Sequence, residues 1–188
     1  MGIVVKGRFT GGALFAPKAD PKGKEQYTAN IVLDDGEEQK LLAAMEDVIR
    51  EKWGGKPPSG LQKWAVRKGD DEEYETSFGK WYVNAKAGTV SGKGVPLARP
   101  GTFVKRDGAL YGVEATDDVI YPGCYVAIEL SVYGYDGDKK NGIMPGITCG
   151  FNKVLFLKNG PRLSSQTSAD TVFADFDSEE TEDNSDLF

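Results

Sequence analysis

One stretch constrains the fold more than any other. From Gly123 to Tyr135, the residues Cys124, Val126, Ile128, Leu130 and Val132 alternate with Tyr125, Ala127, Glu129, Ser131, Tyr133 and Tyr135. A period of two over this length specifies a long strand with one face on a core. Asp136–Gly142 reads as a turn, and residues 143–157 as the antiparallel return. The same alternation predicts a strand over residues 2–15, where Ile3, Val5, Gly7 and Phe9 oppose Val4, Lys6, Arg8 and Thr10. Gly11-Gly12 marks a bulge or bend in it. Pro17–Lys24 reads as a loop, and a strand follows with Tyr27, Ala29, Ile31 and Leu33 on one face. Lys80–Ala87 is a further strand. Asp107-Gly108 is a hairpin turn between short strands at 102–106 and 109–114.

A single helix is predicted, over residues 36–53. Asp34 or Asp35 can cap it, and Glu37-Glu38 suit its positive end. Leu41, Met45, Val48, Ile49 and Trp53 recur at helical spacing as a core stripe, and Gly54-Gly55 stops it. Residues 54–79 and the Gly- and Pro-rich 88–101 read as loops, the second of them mobile. Several strands, one helix and long loops predict a mostly β chain built on a small barrel. The OB-fold, a five-stranded barrel, fits this pattern, as do other small barrels.

Charge divides the chain. The net charge is −6. After Arg162, the last basic residue, come eight acids: Asp170, Asp175, Asp177, Glu179, Glu180, Glu182, Asp183 and Asp186. Without them, 21 acids face 23 bases in residues 1–162, a net of +2. The composition therefore predicts a mildly basic domain over 1–162 and a disordered acidic tail over 163–188. No apolar run approaches the ~18 residues of a membrane span. The start of the chain shows no basic region or cleavage site, which predicts a cytoplasmic protein.

Several chemistries are excluded or weakened. With no histidine, the commonest general base and metal ligand is missing, as is every Ser-His or Cys-His pair. Cys124 and Cys149 lie apart in apolar strands and read as buried free thiols. Gly88–Gly94 is one residue short of a phosphate loop and has Gly94 where a magnesium-binding Ser or Thr belongs. Asp70-Asp71-Glu72-Glu73 and Asp117-Asp118 are the only basis for an enzyme, as metal ligands of a nuclease. Their simpler reading is solvated loop charge. The expectation is no catalytic residue, no metal and no cofactor.

What remains is a repeated pairing of cations with rings. Lys80, Tyr82 and Lys86 share the polar face of one strand with Asn84, while Trp81 joins Val83 and Ala85 on the core face. Tyr133 and Tyr135 lie on the outer face of the longest strand, with Lys139 and Lys140 in the turn after it. Lys105 and Arg106 flank Phe103 and Tyr111. Lys6 and Arg8 share one face of the first strand, and Arg67 lies in a loop with Lys63, Trp64 and Lys68. Single-stranded nucleic acid is held without sequence preference by cations tracking phosphates and rings stacking on bases. Taken singly, each tyrosine can equally cover a sheet edge. The recurrence favours the binding reading.

Five segments carry a family resemblance: Gly7-Arg8-Phe9, Ala13–Lys18, Lys52-Trp53-Gly54-Gly55-Lys56, Tyr121–Val126 and Gly146–Asn152. In order and spacing they resemble the bacteriophage OB-fold single-stranded DNA-binding proteins. The resemblance implies a non-catalytic protein that coats single-stranded DNA during phage replication or recombination in the infected bacterial host. The last residues, with Asp183, Asp186, Leu187 and Phe188, resemble the acidic tails of phage and bacterial single-stranded DNA-binding proteins. That likeness implies docking to phage or host replication proteins. The acids are also expected to compete with DNA for the basic body. Self-association is left open.

Overall fold

The alternating segments become the walls of a barrel. The computed structural model describes residues 2–69 and 79–163. Its elements in chain order are β1 (Ile3–Gly11), β2 (Lys18–Ala19), β3 (Glu25–Leu33), α1 (Glu38–Trp53), β4 (Gln62–Lys63), β5 (Arg67–Lys68), β6 (Trp81–Gly88), β7 (Gly101–Arg106), β8 (Ala109–Gly112), β9 (Tyr125–Tyr135) and β10 (Gly146–Lys158). Hydrogen bonding runs β5-β6-β3-β1-β9-β10-β7-β8, with β2 added to β3 and β4 to β10.

Five of these strands are long: β6, β3, β1, β9 and β10, in that spatial order. They curl until β10 meets β6. At this seam a Cβ on Gly150 would sit 3.2 Å from the Lys86 carbonyl oxygen, a tight contact that glycine avoids as the strands draw together. The result is the expected five-stranded OB barrel, with five short strands attached. β10 serves two neighbours. Its first half faces β6, and Lys153–Phe156 pair in parallel with β7.

The core is the inward parity of each strand: Val5 and Phe9, Ala29, Ile31 and Leu33, Val83 and Ala85, Cys124, Val126, Ile128 and Leu130, and Ile147, Cys149 and Phe151. Both cysteines are free and buried. Burial pushes the Cys149 thiol up to about 12, so it stays protonated and packs as a small apolar group. Helix α1 adds Leu41 and Met45 from its apolar stripe, each contributing about 1.5–3 kcal/mol through burial.

Four local expectations change. Neither Asp34 nor Asp35 caps α1; Glu37 takes the N-cap position without a side-chain cap. Its carboxylate instead accepts from the Lys6 backbone N–H (3.0 Å) and Lys40 Nζ (2.7 Å), tying the helix start to β1. The first strand stops at Gly11, where the register with β3 slips between Phe9 and Gly11. The loops at 17–24 and 54–69 contain β2, β4 and β5, which are only two residues each and carry no readable period. The 88–101 segment is tied back on itself: Val90 bridges Pro96, and Ser91 N–H donates to Val95 O at 2.8 Å.

The Asp107-Gly108 turn forms as expected, with φ of 49° and 83°, and joins β7 to β8 in register at Arg106 and Ala109. The expected tail lies outside the described residues except for Leu163.

Asp136, just beyond β9, ties that strand to the helix end. It accepts from Lys52 Nζ (2.9 Å) and Trp53 Nε1 (3.0 Å). The Lys52 and Trp53 hydrogen bonds hold its carboxyl below the usual 3.8. A depressed carboxylate contributes stability above its unfolded pKa and loses it as pH falls through the folded value. Asp136→Asn is therefore expected to lower the denaturant midpoint slightly at pH 7. The gap to the parent should narrow as pH drops below 3.8, which urea melts across pH 2 to 7 (roughly the range in which carboxylates titrate) will show.

Candidate functional site

The barrel seam is lined by two adjoining clefts that share Lys86. One, about 410 Å³, lies among Trp64, Arg67, Asn84, Lys86, Tyr135 and Thr148. The other, about 490 Å³, runs from Lys86 between Leu97–Pro100 and Ser131, Tyr133 and Gly150. Among the described residues no carboxylate lines either cleft. Together they form a groove with cations and rings on its walls and polar amides and hydroxyls on its floor.

Strand pairing explains the convergence. Asn84 and Lys86 project from the outer face of β6, opposite Asn30 and Thr28 of β3. Tyr133 pairs with Thr148, and Tyr135 with Gly146, across β9 and β10. The tight Gly150–Lys86 approach then brings the β9–β10 face beside that of β6. The segment before β5 is stapled to β10, with Gln62 N–H donating to Pro145 O (2.9 Å) and Trp64 N–H to Ile147 O (2.7 Å). That staple delivers Trp64, 42% exposed, to the groove.

Arg67 is the most organised side chain here. Its guanidinium lies 5.1 Å from the Trp64 ring centroid and 4.9 Å from that of Tyr82. With the Asn84 amide oriented to match its neighbours, Oδ1 accepts from Arg67 Nη2 at 2.6 Å and the amide nitrogen donates to Asn30 Oδ1 at 3.1 Å. The guanidinium is thus held against two rings, the arrangement from which an arginine reaches phosphate or stacks on a base. Arg99, at the other end, already pairs with Glu114 through two 3.0 Å bonds. Tyr133 is half exposed, and burial of its phenol pushes its pKa above the usual tyrosine range, so the ring stays neutral.

Of the residues singled out in the sequence, Arg67, Tyr82, Lys86, Tyr133 and Tyr135 meet at this groove. Lys80 stands exposed in the bend just before β6, two residues from Tyr82. The others lie elsewhere. Arg8 donates from Nε to Gly123 O (3.2 Å) and from Nη2 to Pro161 O (2.7 Å), so it fastens the end of the described chain to β1. Lys6, on β1 opposite Ala127, is outside the groove. Lys105, Arg106 and Tyr111 stand on the β7–β8 hairpin, which joins β10 at Lys153–Phe156, farther along that strand than the Gly150 seam.

Sequence reasoning left Trp64, Asn84 and Thr148 out of the site. Trp64 had a signal, a ring three residues from Arg67. The staple that positions it is invisible at a two-residue strand.

Two of the carboxylates weighed as metal ligands, Asp117 and Asp118, are otherwise employed. Asp117 accepts from the Glu114 N–H at 2.8 Å, and Asp118 pairs with Arg162. Asp70–Glu73 lie outside the described residues. Among the described residues no group of three or more acids and cysteines gathers as a metal site. Among the described residues no helix is long and apolar enough to cross a membrane.

Residues 2–186 match the family model described as Enterobacter phage Enc34, ssDNA-binding protein. The chain is 28% identical over 159 residues to protein p50 of Acyrthosiphon pisum secondary endosymbiont phage 1, covering 78% of this chain and 77% of that one. It is similar in fold to the single-stranded DNA-binding protein from bacteriophage Enc34 in complex with ssDNA, with a TM-score of 0.63, 14% identity, and 87% and 89% of the two chains covered. A C-terminal truncation of the Enc34 protein also gives 0.63, at 16% identity over 86% and 88%.

Proposed function

Since the chain belongs to the Enterobacter phage Enc34 ssDNA-binding protein family, we propose that its β6–β10 groove binds single-stranded DNA with little sequence preference. The observation that carries this reading is the meeting of Arg67 and Lys86 with Trp64, Tyr82, Tyr133 and Tyr135 in a groove that no carboxylate lines among the described residues. Cations there neutralise phosphates, and each stacked base contributes about 1–3 kcal/mol whatever its identity. Lys80 extends the same basic path. The protein acts without catalysis, coating transient single strands in phage replication or recombination in the cytoplasm of the infected host. Titrating labelled single-stranded and duplex oligonucleotides at several salt concentrations tests the binding. Affinity for single strands should fall steeply with salt as counterions are released. Absence of single-strand binding at low salt, even without the tail, would remove the reading.

The domain division at residues 162 and 163 has a role in this proposal. The eight acids beyond Arg162 act as an intramolecular competitor for the groove, at the high effective concentration of a tethered ligand. Displaced by DNA, Asp183, Asp186, Leu187 and Phe188 are offered to replication proteins with basic-rimmed apolar pockets. Deleting residues 164–188 is expected to tighten DNA binding about tenfold at moderate salt. Fluorescence anisotropy with both proteins measures it, and equal affinities would rule the competition out.

A further inference from the structure

The two halves of the seam groove differ in character. The half around Arg67 gathers cations and rings. The 490 Å³ half presents mainly apolar surface. It has two cations, and one of them, Arg99, is committed: to Glu114 through two 3.0 Å bonds and to the Phe15 ring, whose centroid lies 5.6 Å away. Lys86 is the other, at the boundary between the halves. One wall is the half-exposed Tyr133 ring. It lies beside Gly150, where a Cβ would be 3.8 Å from its Cε1. Between the walls sits a small polar patch. The bulge between Phe151 and Lys153 leaves Asn152 out of the ladder, and its Nδ2 donates to Ser131 Oγ at 3.1 Å.

The other wall is Leu97, 48% exposed. A lone exposed leucine is ordinary on a surface. Leu97 differs in lining a concave cleft from a loop that is pinned in place. Its N–H donates to Thr89 O at 2.8 Å, and Thr89 Oγ1 donates to Glu25 O at 3.2 Å. Within the loop, Val95 N–H donates to Ser91 Oγ at 3.1 Å. Beyond it come the Arg99 ion pair and the buried Pro100. The leucine is therefore presented with little left to order on binding.

We infer that Leu97 is a base-contacting residue that favours single strands over duplex. One nucleobase enters the 490 Å³ cleft, stacks on Tyr133 and is capped on its other face by Leu97, while Lys86 takes a neighbouring phosphate. A cleft of this volume is within the range of sites that hold small organic ligands. The cap asks for a base whose second face is free. In a duplex both faces of each base are stacked on neighbours, so the same contact would cost the energy of unstacking. Leu97 thus rewards an unpaired, unstacked base of any identity. This inference rests on the seam groove as the DNA path and adds to it a residue that selects the form of the strand.

The test compares Leu97→Ala and Lys86→Glu with the parent full-length protein on three probes: an oligothymidine, an abasic strand of equal length, and a duplex. Anisotropy is read at low salt, where phosphate contacts hold even an abasic strand. Leu97→Ala should weaken oligothymidine binding about five- to tenfold, the lower end of what a base contact contributes. Abasic-strand and duplex affinities should stay within about twofold, below the scale of one base contact. Leu97→Met, close in volume, should restore most of the loss. Lys86→Glu should weaken all three probes. Unchanged oligothymidine binding by Leu97→Ala, or an equal loss on the abasic strand or the duplex, overturns the cap and leaves the groove standing. If Lys86→Glu weakens none of the probes, the groove reading itself falls, and the cap with it.

Discussion

Replacing Arg67 and Lys86 together with glutamate lowers single-stranded DNA affinity by about two orders of magnitude at moderate salt, since each charge-assisted hydrogen bond to phosphate contributes roughly a factor of ten. It also flattens the dependence of log K on log salt, by about 0.7 for each phosphate of a single strand that is no longer neutralised. The change in slope separates weaker phosphate neutralisation from general damage. Arg67 lies between Trp64 and Tyr82 and is held by Asn84; Lys86 lines both clefts. Glutamate at Lys86 puts a carboxylate into clefts that none lines among the described residues. The same pair of substitutions on the hairpin, at Lys105 and Arg106, is expected to change affinity far less. Anisotropy titrations at four or more salt concentrations (roughly a decade of ionic strength) distinguish the two surfaces.

The second large effect is on the barrel itself. Leu130 is fully buried on β9, opposite Ile3 of β1 and Phe151 of β10. Truncation there leaves a cavity at the junction of three strands. Leu130→Ala is expected to destabilise the protein by about 2–5 kcal/mol. In a chemical melt the midpoint moves down while the slope stays near the parent value. A loss below 1 kcal/mol, about the size of a typical surface substitution, would mean that β9 is not the central wall.

Much of this wall was legible in the sequence because its signal is local and repeated. Cys124–Val132, Ile3–Phe9 and Tyr27–Leu33 declare their buried parity, and the structure keeps each one. Asp107-Gly108 declares its turn. The site was legible by halves. Tyr82 and Lys86 follow from the parity of one strand, and Tyr133 and Tyr135 from another, yet nothing local says that β6 and β10 lie side by side. That neighbour relation comes from Gly150 and from the curl of the whole sheet. Arg8 shows the converse. Its type and face suit DNA, but its donors are spent on Gly123 and Pro161, partners more than a hundred residues away in sequence. Trp64 and the helix cap failed for the same reason: the staple onto β10 and the Glu37–Lys6 bond are tertiary.

The seam groove as the path of the DNA is the claim on which the rest depends. Photocrosslinking a 5-iodouracil-substituted oligonucleotide to the full protein, with adducts mapped to residues, tests it most directly. The groove path predicts adducts at Trp64, Tyr82, Tyr133 or Tyr135, abolished when unlabelled single strands compete. Adducts confined to Tyr111 and its hairpin, with none along the seam, would contradict it.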